Sequence, residues 1–127
     1  MTRNVQAPGE KTLIWVSSSK EDLMTFPDSV RRGIGRALSI AQFGGKHPSA
    51  KPWKGEGPGV LEIVEDHRGD AYRAVYTVRF VQAVYVLHTF QKKSTHGIAT
   101  SQRDKDLIAR RLKAAQKEYE GIYGKDY

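Results

Sequence analysis

The pattern of apolar and polar residues changes period several times along this chain, and each change marks a predicted element. Segments rich in β-branched and aromatic residues and bounded by turn residues predict four strands, at residues 12–16, 60–65, 71–79 and 83–90. Apolar residues that recur every three or four positions predict helices, the first short and ending near Pro27, the others at residues 28–43 and 102–119. The predicted order is β-α-α-β-β-β-α.

The connections between these elements define the predicted fold. The last three strands are joined by connections too short for a crossover, so they should form an antiparallel meander. Residues 46–59 are rich in proline and glycine and are predicted to be a loop. We therefore expect an α+β fold in which two N-terminal helices pack on one face of a small antiparallel sheet and a C-terminal helix follows. Residues 1–10 are predicted to be a flexible tail and residues 11–127 a single domain.

The composition narrows the class of protein. A chain of 127 residues with 39% hydrophobic residues is long enough for one core. It contains no cysteine, which excludes disulfides and thiolate metal sites, and no other residue spacing indicates a metal site. No apolar segment has the length of a transmembrane helix or the character of a signal peptide. We therefore expect a cytoplasmic protein with no membrane partner and no cofactor.

Positive charge is unevenly distributed along the chain. The net charge is +7, which favours polyanionic partners through counterion release. Residues 31–54 contain no acidic residue, and the C-terminal third is basic again. The candidate phosphate ligands in these two stretches are Arg31, Arg32, Lys51, Lys54 and Arg110. Trp53 lies between two lysines, a pattern typical of single-stranded nucleic-acid binding, although a tryptophan at this position can equally cover the sheet.

Arg73 lies in the middle of the third predicted strand and is the strongest candidate for phosphate chemistry. A guanidinium stays charged and binds phosphate through parallel N–H donors, so it can stabilise the charge of a transition state. Alternation places Arg73 on the face opposite Tyr76. We expect it to be exposed on a concave sheet surface beside Lys92 and Lys93. The alternative is an arginine that pairs with Glu62.

Two histidines could transfer protons near neutral pH. His88 lies on the fourth strand, where alternation predicts that it shares a face with Val84, Val86 and Phe90. Its alternative role is that of a hydrogen-bonded core residue. His96 lies in the loop that follows this strand, and catalytic residues are often found in such loops.

Four short segments are distinctive in combination. They are Lys51-Pro52-Trp53-Lys54-Gly55, Gly59-Val60-Leu61-Glu62-Ile63, Tyr72-Arg73-Ala74-Val75-Tyr76, and VLHTFQKKS at residues 86–94. Asp106, Ala109 and Arg110 follow on the predicted C-terminal helix. With this combination the chain resembles the HigB-type toxins of the RelE/ParE superfamily and related phage-derived proteins. The resemblance covers about residues 12–120.

The resemblance implies a compact α+β toxin that cleaves mRNA on the translating ribosome and is neutralised by a cognate helix-turn-helix antitoxin. It implies cleavage without a metal, in which the RNA 2′-hydroxyl attacks the neighbouring phosphate with help from basic side chains. By position, Arg73 would be the phosphate clamp, with Lys92 and Lys93 at the catalytic edge. His88 or His96 would be the proton-transfer group.

A second hypothesis comes from a different class of function. It is a non-catalytic interaction protein of the same fold that poisons DNA gyrase or binds nucleic acid. The acidic second strand, which contains Glu62 and Glu65, favours this alternative. The basic residues Arg73, Lys92 and Lys93 favour the ribonuclease.

Overall fold

A computed structural model describes residues 7–92, 100–125 and 127 of the chain. It contains strands β1 (Thr12–Trp15), β2 (Lys51–Pro52), β3 (Val60–His67), β4 (Asp70–Thr77) and β5 (Ala83–Lys92). The helices are α1 (Ser19–Leu23), α2 (Asp28–Gln42) and α3 (Gln102–Tyr123). In this part of the chain no helix is both long enough and apolar enough to cross a bilayer.

The predicted meander is confirmed. β3 pairs antiparallel with β4, and β4 pairs antiparallel with β5. Arg68 and Gly69 connect β3 to β4 with φ angles of 50° and 87°. Two consecutive residues with positive φ form the tight turn whose twist matches that of the two strands, and glycine adopts this conformation without strain.

Two features of the sheet correct the prediction. The strand order is β1-β5-β4-β3-β2, and β1 pairs parallel with β5, so the sheet is mixed rather than wholly antiparallel. The direction of β1 depends on where α1 and α2 carry the chain, which local patterns do not encode.

The second correction is β2, which forms inside the predicted loop and pairs with Leu61 and Glu62 of β3. Pro52 is tolerated there because β2 is an edge strand.

Helices cover both faces of the sheet, and each face has its own core. On the α2 side, apolar residues of the helix pack against the sheet residues Tyr72, Ala74, Tyr76, Val84 and Val86. On the α3 side, the stripe of Ile108, Leu112, Ala115 and Tyr119 packs against Val75, Tyr85 and Leu87. The α+β fold class is confirmed, and so is the predicted separation of the Arg73–Val75 face from the Tyr72–Tyr76 face.

A β-bulge in β5 moves His88 to the opposite face from the one predicted. Val75 pairs with His88 and Tyr76 with Val86, which leaves Leu87 as the extra residue. An extra residue shifts the alternation, so side chains beyond it change faces. Phe90 consequently joins the α3-side core, and His88 bonds to a residue of α3. Neither shares a face with Val84 and Val86.

Candidate phosphate-binding site

Arg73 is half-buried and paired, which corrects the prediction of an exposed guanidinium. Its Nη1 donates to Oε1 of Glu62 at 2.6 Å, and the two side chains are 21% and 13% exposed. The pair forms because Glu62 and Arg73 lie on the same face of adjacent strands, in a diagonal arrangement two positions apart in register. Nε of Arg73 is shielded from solvent and has no hydrogen-bond partner in the described part of the chain. No described residue therefore uses the Nε–H donor of this guanidinium.

Lys92 lies at the end of β5 on the same side of the sheet as Arg73. It pairs with Ala71, and its Nζ is shielded and unpartnered as far as the described residues show. Desolvation lowers the pKa of Lys92, and the positive charge of Arg73 lowers it further, against smaller opposing effects of Asp104 and Glu62. Arg73 and Lys92 are therefore close enough for the charge of one to affect the pKa of the other, as expected from their predicted proximity. We call Glu62, Arg73 and Lys92 the charged cluster.

His88 is buried, and both of its ring nitrogens are engaged. Nε2 lies 2.8 Å from Oδ1 of Asp104, Nδ1 lies 3.4 Å from Nη1 of Arg111, and the ring stacks on Phe90 with centroids 4.5 Å apart. Burial lowers the pKa of His88, although the Asp104 carboxylate partly opposes this effect. A neutral ring with its proton on Nε2 satisfies both contacts, because it donates to Asp104 and accepts from Arg111.

Arg111 connects His88 to the first helix. Its Nη1 donates to the carbonyl of Leu87 at 2.9 Å, and its Nη2 donates to Oγ of Ser18 at 3.2 Å. Ser18 in turn donates to Asp22. The network joins α1, β5 and α3, and it holds the start of α3 beside the charged cluster.

Sequence reasoning missed Asp104 and Arg111. Asp104 belongs to the N-terminal cap of α3: its N–H donates to Oγ of Ser101, whose hydroxyl donates back to the carboxylate. Burial raises the pKa of Asp104, but the hydrogen bonds from His88 and Ser101 outweigh it and lower the pKa overall. The Ser-x-x-Asp spacing was a usable signal for the cap. Nothing in the sequence indicated the contact with His88.

A groove opens beside the charged cluster. Its volume is about 270 Å³, and it is lined by Lys51, Pro52, Trp53, Lys54, Glu62, Thr100 and Lys105. We call it the lysine groove. Trp53 is 7% exposed and packs in the α3-side core, so it forms a fixed wall and covers the sheet, as the alternative interpretation expected. The lysines remain exposed.

Arg79 holds in place the loop that leads from Lys54 to β3. Its Nη2 donates to the carbonyls of Glu56 at 2.7 Å and Pro58 at 3.0 Å. Gly59 has a φ of 85°, and a Cβ atom there would lie 3.2 Å from the Arg79 backbone. Glycine is required at this position, because other residues rarely adopt a positive φ and a Cβ atom would be too close to Arg79.

The other candidate residues lie elsewhere or outside the described residues. Arg31 and Arg32 belong to α2, across the sheet from Arg73, and Arg31 pairs with Asp28. Arg110 is exposed on α3, two positions beyond the buried Ile108. Lys93 and His96 fall outside the described residues, so their predicted roles remain predictions. No group of three metal-ligating side chains occurs within residues 7–92, 100–125 and 127.

Fold and site together define a small basic α+β protein with a charged cluster on one face of a five-stranded sheet. Residues 21–113 match the family model described as phage derived protein Gp49-like (DUF891). The match covers more than half of the chain, and the chain belongs to this family. The predicted relationship to phage-derived proteins is confirmed, whereas the HigB-type assignment stays a prediction.

The fold also has a similar solved structure. It is a chain in the crystal structure of the toxin–antitoxin complex RelBE2 from Mycobacterium tuberculosis, with a TM-score of 0.40 and 21% sequence identity. The alignment covers 67% of the present chain and 94% of that chain. No curated protein matches the sequence.

Proposed function

We propose that this protein is the toxin of a type II toxin–antitoxin system and cleaves RNA without a metal ion. The observation that carries the proposal is the pair of shielded cations, Arg73 and Lys92, each with an unpartnered nitrogen among the described residues. Two such groups on one sheet face suit a phosphate, because a phosphodiester offers several oxygen acceptors and a negative charge.

The proposed reaction is a transesterification within the RNA. The 2′-hydroxyl gives its proton to a base, for which His96 is the candidate, and the 2′-oxygen attacks phosphorus. The bond from phosphorus to the 5′-oxygen breaks, and a 2′,3′-cyclic phosphate and a 5′-hydroxyl form. Arg73 stabilises the additional negative charge on the phosphate oxygens in the transition state. Lys92 is suited to protonate the departing 5′-oxygen, since its lowered pKa makes it a better acid than an ordinary lysine.

His88 has a positioning role in this proposal. Both ring nitrogens are bound within the protein, so proton transfer would require the His88–Asp104 bond or the Arg111 contact to break. The histidine instead fixes α3 against β5. Lys93 keeps its predicted place at the catalytic edge, and His96 keeps its predicted role as a proton-transfer group.

The proposed partners are mRNA on the translating ribosome and a cognate helix-turn-helix antitoxin, both in the cytoplasm. Three observations support them: the motif resemblance described above, membership of a phage-derived family, and the exposed lysines beside the charged cluster. The lysines provide the sequence-independent electrostatic attraction on which RNA binding largely depends.

Primer extension on cellular mRNA after induction of the chain tests the proposal. We expect growth arrest together with cuts inside translated regions, and cleavage by the purified chain on ribosomes that persists in EDTA at a magnesium level that keeps ribosomes assembled. Loss of cleavage on removal of a transition metal, with recovery on its return, would disprove the metal-free mechanism.

A second candidate is the non-catalytic interaction protein. The Arg73–Glu62 ion pair favours it, because a paired arginine is less available to a phosphate than a free one. Growth arrest with intact transcripts would support this candidate, and assays of DNA gyrase would then test its target.

A further inference from the structure

Glu62 belongs both to the charged cluster and to the lining of the lysine groove. Its Oε1 accepts the hydrogen bond of Arg73, and its side chain also lines the lysine groove. In the described part of the chain, the Glu62 carboxylate accepts no hydrogen bond other than that of Arg73. An ionised carboxylate has four acceptor sites and no donor, so Glu62 has acceptor capacity left for a ligand in the groove.

The groove has the size and walls that suit one nucleotide. Its volume of about 270 Å³ is close to the lower end of the roughly 300–1,000 Å³ that is typical of small-molecule sites. Pro52 and the buried Trp53 provide apolar walls, and Lys51, Lys54 and Lys105 provide three positive charges. A nucleotide combines a flat apolar base with a charged phosphate, so it complements both kinds of lining.

We propose that the lysine groove binds a guanine nucleotide of single-stranded RNA, with Glu62 as the residue that selects the base. Guanine presents two neighbouring N–H donors, N1–H and N2–H, to the acceptor-only carboxylate. Adenine, cytosine and uracil each present an acceptor next to their donor and would leave an acceptor facing Glu62. A site built to form hydrogen bonds with one ligand rejects a similar ligand that leaves polar groups of the site unpaired.

Arg73 links base selection to the proposed chemistry. Its hydrogen bond to Oε1 fixes the carboxylate beside the groove, and the same guanidinium belongs to the charged cluster. A guanine held by Glu62 would therefore place an adjoining phosphate near Arg73 and Lys92. This inference rests on the proposed function for the identity of the polymer, but base selection itself can be measured without cleavage.

Nuclear magnetic resonance titration of the full chain with 5′-GMP, 5′-AMP, 5′-CMP and 5′-UMP tests the inference. The chain contains two tryptophans, Trp15 and Trp53, so the spectrum has two indole N–H signals, of which Trp15 is an internal control. We expect 5′-GMP to shift the Trp53 signal and to bind at least about tenfold more tightly than the other three nucleotides.

Glu62→Gln should bring 5′-GMP to the affinity of 5′-AMP, because an amide offers a donor where guanine also offers one. Glu65→Gln, on the same strand but near α2, is the matched control and should keep the preference. Equal binding of all four nucleotides, or no shift of the Trp53 signal, would overturn the inference. If Glu62→Gln does not fold, the titration of the unaltered chain with the four nucleotides still shows whether the groove prefers guanine.

The two proposals fail in different experiments. RNA cleavage with no guanine preference in the titration would leave the proposed function intact and remove the base-selecting role of Glu62. Guanine binding without RNA cleavage would support the base-selecting role of Glu62 and contradict the proposed function.

Discussion

The two faces of the sheet differ in how completely a helix covers them. On the α2 side, Tyr72, Ala74 and Tyr76 are all buried beneath an apolar helix face. On the α3 side, the helix covers Val75 and Leu87 but leaves charged residues of β3, β4 and β5 beside an open groove. The α2 side is a closed apolar core, and the α3 side combines an apolar core with an open, charged surface.

The largest effect should come from opening the core on the α2 side. Ile34 is fully buried, and Ile34→Ala should lower the free energy of unfolding by about 4 kcal/mol through lost burial and the cavity that remains. Ile40, on the same helix, is 37% exposed, and Ile40→Ala should cost about 1 kcal/mol or less. Urea unfolding measures both. Similar losses would mean that α2 does not divide into a buried and an exposed face.

On the α3 side, the largest effect should be on activity. Arg73→Ala should reduce RNA cleavage about a hundredfold, equivalent to about 3 kcal/mol of transition-state stabilisation. Arg73→Lys should recover only part of it, because an ammonium lacks the planar pair of donors. Arg36→Ala, on α2 across the sheet, is the control and should cleave normally in the same assay.

Arg73→Ala also leaves Glu62 without its partner, so a loss of folding must be separated from a loss of activity. The double variant Glu62→Ala/Arg73→Ala removes both charges and should be at least as stable as Arg73→Ala while remaining inactive. Recovery of cleavage in the double variant would show that Arg73 matters only as the partner of Glu62.

The network that holds α3 should make stability depend on pH. Burial lowers the pKa of His88 below its usual 6.5, so the unfolded chain binds this proton at a higher pH than the folded chain. Stability should therefore fall as the pH is lowered below about 6.5. Asp104 affects the pH dependence of stability only at a lower pH, because its pKa is lowered from 3.8.

Thermal unfolding between pH 7.5 and 5.5 measures the effect. We expect the melting temperature to fall on acidification in the unaltered chain and to fall less in His88→Gln. His47→Gln, in the loop before β2, should retain the full dependence. An unchanged slope in His88→Gln would assign the pH dependence to other groups.

The smallest effects should come from two buried tyrosine hydroxyls. The hydroxyl of Tyr76, on the α2 side, has no hydrogen-bond partner among the described residues, and burial raises its pKa to about 12. Tyr76→Phe should leave stability unchanged or raise it by up to about 1 kcal/mol. On α3, Tyr119 accepts from the N–H of Gln82, so Tyr119→Phe should cost about 1 kcal/mol. Chemical unfolding of both variants would reveal whether their effects have opposite signs.

Features that depend on neighbouring residues could be predicted from the sequence. The meander follows from the short connections between the strands, and the separation of Arg73 from Tyr76 follows from alternation within one strand. The pair of Arg73 with Glu62 was foreseen as an alternative, since two adjacent strands bring the residues together once their register is known.

Features that depend on distant packing could not be predicted. The bulge at Leu87 is invisible in an uninterrupted apolar run, and it reverses the faces of His88 and Phe90. The contact of Arg111 with Ser18 joins residues from opposite ends of the chain, which no periodicity encodes. The parallel direction of β1 is likewise set by the path of the two helices that follow it.

The pairing of β1 with β5 also determines when the sheet can be completed during synthesis. Thr12 pairs with Ala83, so β1 leaves the ribosome first of the five strands and can pair only after β5, the last of them, has been made. At about 5–20 residues per second, that delay is about 4 to 14 s. Pairing between such distant segments is entropically slow to form. We therefore expect a chain interrupted before β5 to lack both Lys92 and a partner for β1, so that incomplete translation products are inactive and depend on chaperones.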